Sequence, residues 1–302
     1  MLDVKRKIHP LLSEHRATID RQRWTFVPAA ETREILAGLA VSQAAMDEIG
    51  VLSDLLRSDP TLPFRAASNG RFCTDFGTRQ AYRTEDQLFV LTAEEDFHRF
   101  DSGQLRVFDP LEARLCANAA FQGLLTINAF ILATLKPRHR PLLDYTSDQW
   151  ITTVFDLRTI TTPELIGEPA LEGVHSDGVD LSMTTFLSRN NMRRDSGITD
   201  VHEMAQVNGV RWDEIDPQYR VGTAQHWETL DILIVVDHEK KHSVSPLWAE
   251  DPTQRATRDV LTFFSRKPTV EGHVSYDHDS RLPHESLPCQ VDVSIVRDPW
   301  CT

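Results

Sequence analysis

Apolar positions recur at helical spacing through the first part of the chain and switch to alternation past its middle. The segment "AAETREILAGLAVSQAAMDEIGVLSDLLRS" sets Leu36, Leu39 and Ala40, then Ile49, Leu52 and Leu55, where one helix face would turn inward. A second helix is expected from Leu111 through Leu135. Its core, "NAAFQGLLTINAFILATL", is the most apolar long run, yet it carries Asn and Gln and is followed by the basic stretch Lys136 to Pro141. A buried core helix fits that composition better than a membrane span. Between the two helical regions, "FRAASNGRFCTDFGTRQAYR" reads as strand and loop, with Arg65, Arg71, Arg79 and Arg83.

From Trp150 onward the character changes. "WITTVFDLRTIT", "DLSMTTFLS", "TLDILIVVD" and "DVLTFFS" are rich in β-branched and aromatic residues, several alternate in period two, and turn residues bound them. Helices first and strands later, without regular βα alternation, predict an α+β fold, with a sandwich or barrel carrying helices on one side. No internal repeat is visible. The segment after Pro268, dense in Pro, His and Asp, is expected to be a peripheral extension spanning 269–302.

Composition narrows the function classes. At 302 residues with a net charge of -13, the chain has length for a sizeable core and no basic surplus to neutralise phosphates. Nucleic acid and anionic membrane are therefore not expected partners. Cys73, Cys116, Cys289 and Cys301 form no CxxC pair, which disfavours a structural zinc site or a disulfide scaffold. They read as inert. The beginning of the chain lacks the apolar core of a signal peptide, so a cytoplasmic protein is expected.

Candidate chemistry begins at "PALEGVHSDGVDLSM", where His175 and Asp177 stand two apart and, in extended backbone, point to one face. The triplet alone is weak: 12 His and 45 acidic residues give roughly two His-x-acid triplets by chance, and His226/Glu228 is the other one. Residues further along the chain strengthen the first. His242 lies in "DHEKKHSVSPLW", and Arg258 opens "RDVLTFF" sixteen residues later. Two imidazoles and one carboxylate leave metal positions open, as in non-haem Fe(II) oxygenases. An Arg adds a planar two-pronged donor for a co-substrate carboxylate.

These residues resemble the Fe(II)/2-oxoglutarate dioxygenases related to bacterial L-isoleucine dioxygenase, which hydroxylate free amino acids. The family's "PEGxHxDG" element matches "PALEGVHSDGVD", its "FHxVSP" matches "KHSVSPLW", and its "RDILxxxF" matches "TRDVLTFFS". An upstream strand with Arg corresponds to "FDLRTI". The likeness runs from about Trp150 to Lys267. It departs at "SRNNMRRDSGIT", where one glycine, Gly197, stands in place of the family's frequent Gly-Gly.

The resemblance implies a double-stranded β-helix (jelly-roll, cupin-like) core at about 60–268, within a single dioxygenase domain 1–268 that is helical over its N-terminal residues 1–140. It implies His175, Asp177 and His242 as catalytic iron ligands and Arg258 as the 2-oxoglutarate clamp. Fe(II), 2-oxoglutarate and O2 are the implied cofactor and co-substrates. The implied reaction is hydroxylation of an aliphatic C–H of a free L-amino acid or close derivative. A larger or carrier- or peptide-bound substrate, and a non-catalytic jelly-roll binding protein, are the alternatives; a homodimer is left open.

Arg158 and Arg189 are the candidates for a substrate carboxylate, with a surface salt bridge as the competing role for each. His226 and Glu228 read as structural, and His238 as solvated. Arg258 is preferred over Arg255, which lies in a polar loop. At most one or two of Arg65, Arg71, Arg79 and Arg83 are expected to face the pocket. Tyr145 and Trp150 are expected to pack under the sheet.

Overall fold

The computed structural model describes residues 2–90 and 102–297. Helix α1 (Leu2–Gln22) leads into strand β1 (Trp24–Val27) and helix α2 (Ala29–Gly38). The long helix expected from Ala29 onward is divided. Ala40 takes a φ of 64°, a left-handed conformation that ends helices, and Ser42 caps the next helix, α3 (Gln43–Glu48). A 3-10 segment, Ile49–Leu55, follows. Strands β2 (Arg65–Asp75) and β3 (Gln80–Arg83) pair antiparallel, and β4 (Asp109–Pro110) lies parallel to β2.

The helix expected over Leu111–Leu135 is also two: α4 (Ala113–Ala117) and α5 (Ala119–Leu132). Asn118 divides them, its side-chain oxygen accepting the N–H groups of Ala120 and Phe121 at 2.8 and 3.2 Å. Those N–H groups have no partner within a helix, so an Asn there starts a new one. Beyond it come β5 (Gln149–Thr161), β6 (Leu181–Asn190), β7 (Ile198–His202), β8 (Arg220–Gln225), β9 (Ile232–Val235), β10 (Lys241–Val244) and β11 (Ala256–Arg266). Strand β12 (Gln290–Asp292) is the last.

One sheet runs β1-β9-β6-β11-β5-β2-β3-β12, with β4 beside β2, and a smaller one runs β10-β7-β8. This is the expected α+β architecture, a double-stranded β-helix core with helices on one side. Period-two alternation divides the large sheet into two faces with different tasks. Leu261 and Phe263 of β11, Val154 of β5 and Phe72 of β2 share one core with α5. Phe121 of α5 lies 5.7 Å from Phe72 and 6.2 Å from Phe263, ring centre to ring centre. The intervening residues Val260, Thr262 and Phe264 face a cavity between the two sheets.

The segment after Pro268 is not peripheral. Strand β12 pairs with β3, and Cys289, Val291, Val293 and Val296 join the core under α5. Earlier in the segment, His273, Val274 and Ser275 line the cavity. A three-residue strand is too short to show a period, which is why the sequence pattern conceals it. Cys73 and Cys116 are buried as well, and Cys301 lies outside the described residues. Among the described residues no helix is long and apolar enough to cross a membrane.

Candidate metal centre and its cavity

His175 and His242 face each other as an isolated antiparallel bridge, each donating its backbone N–H to the other's carbonyl at 3.0 Å. Directly opposed residues carry their side chains on the same face, and the two ring centres are 4.4 Å apart. His175 Nδ1 lies 2.8 Å from the Gly173 carbonyl, so it carries a proton and Nε2 is the nitrogen turned toward Asp177. That Nε2 is 3.3 Å from Asp177 Oδ1, and His242 Nε2 is 3.7 Å from Asp177 Oδ2. One donor atom from each of the three residues lies within 4.8 Å of the others.

The donors suit a metal ion. Bonds of about 2.1 Å at right angles would set neighbouring donors about 3 Å apart. The separations of 3.3 and 3.7 Å come within a small side-chain rotation of that. The donor set, two imidazole nitrogens and a carboxylate oxygen, is one that leaves a face open on non-haem iron.

The loop that carries Asp177 is anchored by a second carboxylate. Asp237, just past β9, accepts the N–H groups of Asp177 and Gly178 at 2.9 Å and of Val179 at 3.2 Å. Gly178 sits at a φ of 76°, a region that favours glycine, which explains the Gly after the Asp. Ser182 Oγ donates to Asp177 Oδ2 at 2.5 Å.

Burial sets the protonation balance. It opposes charge on Asp177, but His242 and His175 outweigh it and hold the carboxyl well below its usual range. Burial likewise opposes charge on His175, yet the hydrogen bond and charge of Asp177 lift it to about 9. His242 is pushed down to about 4, chiefly by burial. Burial, then the Asp177 charge, raise Asp237 to about 8.

Asp237→Asn keeps the volume but places an amide N–H₂ where a backbone N–H must be accepted. Partners that orient metal ligands command roughly 10–100-fold in affinity. Titration of the Asp237→Asn protein with Fe(II) or Co(II) is expected to show metal binding weakened by that factor. Unchanged affinity would mean that the loop holds its shape without Asp237.

The cavity's wall follows from strand register. Arg65, Thr159 and Arg258 stand opposite one another across β2, β5 and β11. Two residues along, Leu157 pairs with Val260; then Phe155, Thr262, Thr184 and Leu233 align, followed by Arg71, Thr153, Phe264, Ser182 and Val235. Arg266 ends the series on β11. All of these face the cavity, along with Glu172, His226 and the three metal-centre residues.

Arg258 is 4% exposed, and among the described residues no carboxylate pairs with it. Its neighbour Asp259 is taken by Arg158, and burial pushes Arg258 down to about 10. Arg258 Nη2 is 3.4 Å from His226 Nδ1, while His226 Nε2 lies 3.1 Å from the Thr184 carbonyl. Burial, then the Arg258 charge, push His226 down to about 3, so it stands neutral. The sequence pattern makes His226 structural; it is not among the metal-centre donors but stands against the guanidinium. A Cβ on Gly197 would come within 3.2 Å of Arg258 Nε, so the glycine in "DSGIT" gives that side chain its room.

Two sequence candidates for a substrate carboxylate fall elsewhere. Arg158 alternates with Leu157 and Thr159 and therefore points to the opposite face of β5. There it meets Asp259 at 2.7 Å through two nitrogens and Asp54 at 2.8 Å. Arg189 stacks over Trp227 at 3.9 Å and donates to the Trp227 carbonyl, exposed at the end of β6. A register shift between Asp259 and Val260 lies beside it, and such bulges re-aim side chains.

Of the four upstream arginines, Arg65 and Arg71 line the cavity. Arg79 holds a hairpin turn at a φ of 61°, and Arg83 is buried against the Leu111 carbonyl. Arg255 is exposed in its loop. His238 stands partly exposed, 3.6 Å from Asp237. Trp150 is buried beneath Lys267, and the Tyr145 hydroxyl donates to Asp180 at 2.6 Å.

The 2OG-Fe dioxygenase family matches this chain over residues 52–264. Bifunctional enzyme flvA of Aspergillus flavus is 38% identical over 278 residues, covering 92% of this chain and 34% of flvA. The chain thus spans about a third of the length of that curated relative. The structure of the Fe(II)/(alpha)ketoglutarate-dependent dioxygenase TqaL is 40% identical, with a TM-score of 0.83 over 96% of this chain and 97% of TqaL. A bsmA homolog from Methylobium petroleophilum PM1, 22% identical over 85% of this chain and 93% of its own, shares the fold with a TM-score of 0.69.

Proposed function

Because the chain belongs to the 2OG-Fe dioxygenase family, whose members use Fe(II), 2-oxoglutarate and O2, we propose that it hydroxylates an aliphatic C–H bond of a free L-amino acid or a close derivative. His175, Asp177 and His242 would hold the iron, and Arg258 the distal carboxylate of 2-oxoglutarate. Iron(II) bound there supplies C–H oxidation by O2, coupled to decarboxylation of 2-oxoglutarate to succinate and CO2.

The observation that carries the substrate class is the make-up of the cavity. Phe155, Leu157, Leu233, Val260 and Phe264 give its wall an apolar stretch, and charged groups of both signs line the same cavity. Guanidinium groups stand at both ends, and Glu172 lies three residues before His175 on the same loop. An aliphatic amino acid needs a cation for its carboxylate, an anion for its ammonium and an apolar wall for its side chain. Phe89, Phe108 and Phe155 pack edge to face at 5.1 to 6.2 Å and supply a stretch of that wall. Such a wall orients one C–H toward the metal centre and keeps water from it.

The test is succinate formed from 2-oxoglutarate by the protein with Fe(II), ascorbate and O2, with pools of free L-amino acids supplied. Mass spectrometry on the same samples looks for a product with one added oxygen atom. Succinate that rises with one pool, together with that product, is the expected result. Succinate indifferent to every pool would overturn the amino-acid reading and point to a larger or tethered substrate. A product short of two hydrogens instead would replace hydroxylation with another oxidative outcome.

A further inference from the structure

We propose that Arg71 and Arg266, with Asp279 held between them, form the subsite that receives the carboxylate of the organic substrate. The inference rests on the amino-acid reading of the cavity and assigns it a second anion position, distinct from Arg258.

Sheet register separates the two positions. Arg258 and Phe264 are six residues apart on β11, about 20 Å at 3.4 Å per residue. Arg71 belongs to the Phe264 row, which continues through Thr153 and Phe264 to Ser182. Ser182 is the residue that hydrogen-bonds Asp177. From Arg71 to Ser182 there are three strand spacings, about 14 Å between backbones. The Arg71 side chain reaches into that gap from one end, and Ser182 with Asp177 bounds the other. What remains suits a small molecule. The metal centre therefore has Arg258 toward one end of the cavity and Arg71 with Arg266 toward the other.

Among the described residues, charge at this end is unbalanced. Arg266 meets Asp279 through two nitrogens at 2.8 and 3.2 Å, whereas Arg71 Nη1 is 3.7 Å from the same carboxylate. Asp279 Oδ2 also accepts from the Thr269 N–H at 2.9 Å and hydroxyl at 2.8 Å. Arg71 donates further to Gln87 Oε1 at 3.2 Å and to the His278 carbonyl. Its Nε is buried without a hydrogen-bond partner among the described residues. Two guanidiniums thus share one carboxylate, at side-chain exposures of 7%, 11% and 5%. Burial and the Arg266 charge push Arg71 down to about 10. A buried surplus cation is costly until an anion joins it, and a substrate carboxylate is the anion of the right size and charge.

Calorimetry on the full chain loaded with Fe(II) and 2-oxoglutarate, without oxygen, tests this with isovalerate as the probe. With 2-oxoglutarate on Arg258, isovalerate reports on the other end. It is expected to bind about tenfold or more tighter than uncharged isovaleramide of the same shape, and Arg71→Gln should erase the difference. Equal binding of acid and amide by the unmodified chain would overturn the subsite, whatever the variant's folding. So would an Arg71→Gln protein that prefers the acid as strongly as the parent.

Succinate assays judge the amino-acid reading separately. Isovalerate binding that depends on Arg71, with no amino acid supporting succinate, would uphold the subsite and overturn that reading. Amino-acid-dependent succinate with the amino acid's KM unchanged in Arg71→Gln would do the reverse.

Discussion

Asp177→Ala is expected to abolish succinate formation, lowering kcat/KM by more than a thousandfold, beyond the roughly 10–100-fold that groups behind metal ligands command. The change removes the anionic donor and leaves two imidazoles whose Nε2 atoms were both directed at it. Two neutral donors cannot offset a dication's charge, and a carboxylate is the hard oxygen donor of the set. The fold is expected to survive. Asp177 takes part in no strand pairing, and Asp237 still accepts backbone N–H groups from the loop, including that of position 177. A melting temperature close to the parent's, with metal binding lost in a Co(II) titration, would place the defect at the metal centre. Retained succinate formation would mean that the iron is held elsewhere.

The cluster of His175, Asp177 and His242 is legible in the sequence because its logic is local. His175 and Asp177 share a face by spacing alone, and His242 and Arg258 each sit in short linear elements that match a family pattern. Which face of a strand looks into the cavity is not local. Arg158 and Thr159 are equally plausible until β5 is laid against β11, where Thr159 meets Arg258 and Arg158 meets Asp259. A shift of one residue exchanges their roles.

The same limit leaves Arg71 undistinguished from Arg79 and Arg83, and Arg266 without a signal. The common partner of Arg71 and Arg266, Asp279, comes from a segment whose only described strand is three residues long. Helix ends were concealed for another reason. Asn118 and Ser42 are capping residues inside otherwise continuous apolar periodicity, and the left-handed Ala40 carries no sequence signal. His226 had a signal of the wrong kind: its triplet with Glu228 suggested a rival metal pair. Its place against the Arg258 guanidinium depends on a contact between residues 32 apart in the chain, which no local pattern displays.

Arg258→Gln is expected to separate co-substrate binding from everything else the cavity does. In the folded chain this guanidinium is buried, its adjacent carboxylate is committed to Arg158, and its side-chain neighbours are a neutral imidazole and the Phe186 ring at 6.0 Å. An uncompensated buried cation destabilises the protein that carries it. Without 2-oxoglutarate, Arg258→Gln should therefore melt no lower than the parent. With 2-oxoglutarate the order should reverse. Removing one partner of a buried, hydrogen-bonded charge pair costs about 2–5 kcal/mol, or roughly 30-fold to several-thousandfold in affinity. The KM for 2-oxoglutarate should rise by that factor, and added 2-oxoglutarate should no longer raise the melting temperature. Arg258→Lys should recover only a fraction of the affinity, since an ammonium keeps the charge but loses the two-pronged geometry. Metal binding should be unaffected, because His175, Asp177 and His242 make no contact with Arg258 in the bonds and ion pairs that fix them. A parent protein that 2-oxoglutarate stabilises no better than it does Arg258→Gln would take the clamp away from this residue. Arg65, its neighbour across β5 on the same cavity row, would then be the cation to change next.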